Sequence, residues 1–104
     1  MFQVPKNRPP THPGEMLVEE FLKPLGMTQV ELAHRIAVPF QRVNQIVNRK
    51  RALSPDTSLR LARVFGTTPG FWLNLQQRWD LYEALHSAEA RAIGRIKPVS
   101  RKAS

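Results

Sequence analysis

TQVELAHRIAVPFQRVNQIVNRKR, residues 28–51, decides how the rest of the chain is read. Thr28 followed three residues later by Glu31 is a capping box, so a helix is expected to begin at Gln29. Ala33 falls on the inner face of that helix, where a longer side chain would push a neighbour away, and Ala37 stands where the chain must turn. The next helix is expected to begin near Pro39, whose missing N–H is harmless in a first turn. Within it Val43, Ile46 and Val47 recur at i, i+3 and i+4 and form a buried stripe. Gln41, Asn44, Gln45 and Asn48 then point the other way, with Arg42 on one flank. Two short helices crossed at a tight turn, the second with a polar outer face, make a helix-turn-helix.

The outward residues are amides, and a carboxamide donates and accepts at once. That matches the adjacent acceptor and donor that adenine shows in a DNA major groove, while Arg42 can fork onto guanine or hold a phosphate. Gln29, in the first turn of the preceding helix, is placed to hold a phosphate together with nearby main-chain N–H groups. Phe40 has two readings: it packs beside Val43 as a staple, which is favoured, or it touches thymine methyls. Arg49, Lys50 and Arg51 follow the second helix, where three cations complement the negative helix end and can clamp a flanking phosphate. A solvated face rich in Gln and Asn is the plainer reading of the amides alone. The two-helix spacing and the local charge favour DNA.

Composition points the same way. The formal charge of this 104-residue chain is +8, and no Asp or Glu occurs between Glu31 and Asp56, so a polyanion is the natural partner. At this length one folded unit is expected, spanning residues 11–93 between a flexible arm (1–10) and a basic flexible tail (94–104). The arm carries Pro5, Pro9 and Pro10, which deny it a regular helix or ladder. With no cysteine there is neither a disulfide nor a thiolate metal site, and no apolar run has the length of a membrane span. No membrane partner and a cytoplasmic location are expected.

Around the central stretch the reading is all-α. Thr11 or His12 caps a first helix with Pro13 in its first turn; Met16, Leu17, Phe21, Leu22 and Leu25 form its apolar face, and Pro24 and Gly26 end it. His12 and Glu15 are too few to close a metal site, so no metal or other cofactor is expected. Ser54-Pro55 opens a fourth helix, with Leu59, Leu61, Ala62, Val64 and Phe65 largely buried and Gly66 closing it. Thr68-Pro69 opens a fifth, in which Phe71, Trp72 and Leu75 read as core. Trp79, Tyr82 and Leu85 come after the compact unit should be complete, so they are expected to form a homodimer interface. That helix is expected to continue as far as Ile93.

HPGEMLVEEFLKPLG, RVNQIVNRKR and SPDTSLRLARVFGTTPGFWLNLQ together resemble the HigA antitoxins, also called virulence-associated protein I, a branch of the lambda-repressor-like helix-turn-helix proteins. The likeness covers roughly residues 12–85. HPGE opening the first helix and FWLNLQ opening the fifth are not general features of helix-turn-helix chains. What the resemblance implies is a five-helix DNA-binding domain, dimeric on a palindromic operator, that represses its own operon. It also implies a partner toxin, a HigB-like ribosome-dependent mRNA endonuclease. Family DNA contacts would fall on Gln29, Phe40, Gln41, Arg42, Asn44 and Gln45. Ala37 and Arg49 stand where the family often has Gly, implying a slightly altered turn at the first and a left-handed helix end at the second. The competing readings are a repressor without a toxin and a protein-binding adaptor. No nucleophile–base pair, phosphate loop or ligand cluster supports an enzyme.

Overall fold

The computed structural model describes residues 8–100, so most of the expected arm (1–7) and the end of the expected tail (101–104) lie outside the described residues. The five expected helices are all present. The first, α1, runs over residues 13–25 in three consecutive stretches: α-helical Pro13–Leu17, π-helical Val18–Leu22 and α-helical Lys23–Leu25. It is followed by α2 (Gln29–Ile36), α3 (Phe40–Val47), α4 (Pro55–Phe65) and α5 (Pro69–Leu85). A short α6 (Ala90–Gly94) comes after a break.

Local chemistry sets the boundaries. His12, Thr28, Ser54 and Thr68 each accept a hydrogen bond from a first-turn N–H of α1, α2, α4 and α5 respectively. Pro39 is the cap residue of α3 rather than its first helical residue, and no side chain caps that end. Pro24 does not end α1. It has no N–H and its ring crowds the carbonyl one turn back, and the helix widens just before it, with the Lys23 N–H bonding five residues back to Val18 O. Gly26, left-handed at φ 62°, ends the helix instead.

The core is built around Trp72, fully buried on α5, with Leu17 and Leu22 of α1, Leu32, Ala33 and Ile36 of α2, Val43 and Ile46 of α3, and Leu61 of α4. Phe21 and Phe65 stack against one another at 4.7 Å beside Trp72, whose indole N–H donates to Thr67 Oγ1 at 2.8 Å. Truncating Trp72 to Ala would remove about 3–5 kcal/mol. Two expected core positions are not core. Leu25 is 60% exposed and Leu59 59% exposed; Leu59 stands two residues before buried Leu61, a spacing that puts the two on different faces of the helix. The expected continuation to Ile93 is also broken: α5 stops at Leu85, and His86 Nδ1 and Ser87 Oγ bond to carbonyls of the last turn.

One buried polar side chain joins distant parts of the chain. Gln76 on α5 accepts from the Leu53 N–H at 2.8 Å and donates to Asp80 at 2.8 Å, which fixes the segment that leaves α3. Losing that acceptor would leave a buried N–H unpaired, a loss of about 1–3 kcal/mol.

Candidate nucleic-acid interface

Ala37 makes the turn between α2 and α3 in the left-handed conformation, φ 58° and ψ 49°, and its N–H closes back onto α2. The turn therefore keeps the geometry a glycine would adopt, at a strain of roughly 1–2 kcal/mol for an L-residue. Val43 and Ile46 seat α3 on the core, and Ala33 beneath them is buried as its small size requires.

A second contact seats the far end of α3. Gly14, in the first turn of α1, lies against main chain there: a Cβ at this position would collide with the Ile46 carbonyl oxygen and sit 3.0 Å from Val47 Cα. Its N–H is held at 2.9 Å by His12 Nδ1, so the imidazole is neutral with its proton on Nε2. Burial first, and then the charge of Arg49, holds the His12 pKa below its ordinary value, against an opposing pull from Asp80. The same ring meets Trp79 edge-on at 4.8 Å. The HPGE motif is thus a cap, a first-turn proline and a close backbone approach behind α3.

The outward side of α3 carries a connected row of amides. Asn44 donates to Gln29 Oε1 at 3.0 Å, and Asn48 donates to Asn44 Oδ1 at 3.1 Å. Gln45 accepts from Arg51 Nε at 2.9 Å. Gln41 is exposed, and Phe40 beside it is 41% exposed, so the expected staple against Val43 does not bury it. Lys50 is exposed just past the helix.

Arg49 is placed differently from its neighbours. It is left-handed at φ 62°, as the family comparison implied, and its guanidinium turns back to Glu15 at 3.7 Å and over the Trp79 ring at 5.0 Å. Arg42 reaches sideways to Asp56 at 3.3 Å. Asp56 also takes Arg60 Nε at 2.8 Å, and Arg60 donates to the Ile36 carbonyl at 2.7 Å. Sequence reasoning passed over Asp56, Arg60, Gln76 and Gly14, since their partners lie on other helices; the lone carboxylate between residues 31 and 80 was the one available signal, and it is Asp56.

Of the residues expected at a dimer interface, Trp79 is half-buried against His12 and Arg49, and Tyr82 is half-buried beside His86. Leu85 is exposed, as is Leu81. Among the described residues no group of His, Cys, Asp or Glu could hold a metal ion, and no helix is long and apolar enough to cross a membrane.

A helix pair crossed at a left-handed turn, seated from behind and showing linked amides and cations in front, defines a helix-turn-helix protein of the lambda-repressor kind. The "Helix-turn-helix" family matches residues 18–72. Virulence-associated protein I of Dichelobacter nodosus is 42% identical over 92 residues, covering 88% of this chain and 83% of that protein. An addiction module antidote protein of the HigA family from Coxiella burnetii superposes with a TM-score of 0.81 at 42% identity, covering 88% of this chain and all of that one (100%). Antitoxin HigA of Pseudomonas aeruginosa, solved with the higBA promoter, gives 0.82 at 38% identity, covering 88% of this chain and 99% of that one. The chain belongs to the HigA family of helix-turn-helix antitoxins and regulators, which is not a family of enzymes.

Proposed function

We propose that this chain is a cytoplasmic, sequence-specific DNA-binding antitoxin that represses its own operon and neutralises a HigB-like mRNA endonuclease, with residues 11–93 as the working unit. The observation that carries the DNA reading is the hydrogen-bonded row Gln29–Asn44–Asn48 on the outer side of α3. Amides fixed by one another need little ordering when they meet base edges. Gln41, Gln45 and Phe40 complete the reading face; Arg42, Lys50 and Arg51 supply phosphate or guanine contacts, and Arg49 joins them by leaving Glu15. The likeness to an antitoxin solved with its promoter supports this.

A palindrome calls for two copies with recognition helices about 34 Å apart. Trp79, Tyr82 and Leu85, with Leu81 beside them, offer the apolar surface for that homodimer on α5. The toxin partnership rests on family membership, and growth rescue by this chain of cells expressing a HigB-like mRNA endonuclease checks it.

The DNA reading is tested by anisotropy on a duplex selected from a randomised pool and on a random duplex of equal length. Asn44→Ala should lose about tenfold on the selected duplex and little on the random one. Lys50→Ala should weaken both alike and lower the salt slope by about 1. Equal losses on both duplexes for Asn44→Ala would rule out base reading by this face.

A further inference from the structure

We infer that Asp56 is a specificity-determining residue of the DNA interface: it holds Arg42 at the flank of the reading face and away from whichever phosphate lies nearest. The inference rests on the DNA reading above and adds a restraint from outside the helix-turn-helix itself.

Between residues 31 and 80 the chain has a single carboxylate amid many cations. A carboxylate beside a DNA-facing surface repels the phosphate backbone, so its position there calls for a compensating role. The structure sets it 3.3 Å from Arg42 Nη1, on the flank of the outward amides. Asp56 is itself held from behind. Arg60 binds it at 2.8 Å and is anchored at 2.7 Å to the Ile36 carbonyl, at the end of α2 beside the helix-turn-helix turn. A chain of contacts thus runs from the turn through Arg60 and Asp56 to Arg42. Arg42 is the more buried of the pair, its side chain 30% exposed against 58% for Asp56, so its stem is already settled and the carboxylate fixes the guanidinium.

An arginine left loose at this place would neutralise a phosphate on any sequence, raising non-specific binding. One fixed on the flank of the amides, a turn before Gln45, is available where a guanine stands in register. A solvent-exposed ion pair restrains its partner by a factor of about 2–5, and the effect on discrimination should have that size.

The test is a double-mutant cycle on the full chain, read as the affinity ratio between the selected and the random duplex, with melting temperature alongside. Asp56→Asn should lower the ratio about threefold and steepen the salt slope on the random duplex by about 1, as one more phosphate is neutralised. In an Arg42→Ala background the same change should leave the ratio where it was. An unchanged ratio for Asp56→Asn overturns the inference, as does an equal gain on both duplexes that persists without Arg42, which would make Asp56 a plain repelling charge. If the wild-type chain itself failed to separate the two duplexes, the DNA reading would fall and take this inference with it.

Discussion

Gly14→Ala sets two effects of opposite sign against each other. In an open helix the change would raise stability, since alanine is favoured over glycine by up to about 1 kcal/mol. Here the added methyl meets the Ile46 carbonyl oxygen and, at 3.0 Å, both Val47 Cα and Val47 O, all of them main-chain atoms with no rotamer to yield. Relief requires α1 to back away from α3, and overpacking of this kind destabilises by about 1–3 kcal/mol. Set against the propensity gain, the net should be a loss of about 1–2 kcal/mol, or roughly 4–16 °C in melting temperature for a domain of this size. Thermal melts by far-ultraviolet circular dichroism measure it, and Gly70→Ala is the control. That glycine also lies in a first helical turn, but a Cβ there meets only Thr68 Oγ1, at 4.0 Å, so melting should stay level or rise. A Gly14→Ala protein melting at or above wild type would refute the close-approach argument. On the proposed DNA reading the same variant should also bind DNA more weakly, because the contact it breaks seats α3.

Two further outcomes are expected. Ala37→Gly should raise stability by about 0.5–1 kcal/mol, since the strain relieved at φ 58° exceeds glycine's greater loss of freedom on folding; a lower melting temperature would show that the turn is not strained. For His12 the folded pKa lies below the unfolded one, so the unfolded chain takes up the proton first as pH falls. Its contribution is whole above about 6.5 and is lost as pH drops through the folded value. His12→Asn keeps a capping oxygen and removes the titration, so its melting temperature should fall less than wild type between pH 7.5 and 5; parallel profiles would count against a titrating cap.

Much of this was legible in the sequence because it is local. Thr28, Ser54 and Thr68 act within three residues of themselves, and Val43 and Ile46 repeat at the helical period, so boundaries and the seated face of α3 could be read directly. Leu25 fits the helical period three residues after buried Leu22, so its exposure could not be read, whereas Leu59 is two residues from Leu61 and its outward side was legible but missed. The turn-widening effect of Pro24 looked like termination, since a proline inside a helix does either. The site's polar framework was hidden for another reason. Gln76 meets Leu53, and Asp56 meets Arg42, across separations that no spacing rule connects. Glycine in a first turn likewise gives no hint of a neighbouring backbone until both helices are in place.

The row of linked amides has a consequence for how this scaffold can be retargeted. Gln41 is not joined to the row, so on the proposed DNA reading exchanging it should alter preference for bases without breaking a hydrogen bond of the row. Asn44 is different: replacing it strands the carbonyl of Gln29 on the preceding helix and the amide of Asn48 one turn on. Relatives that recognise different operators should therefore change the positions of Gln29, Asn44 and Asn48 together, while that of Gln41 drifts alone.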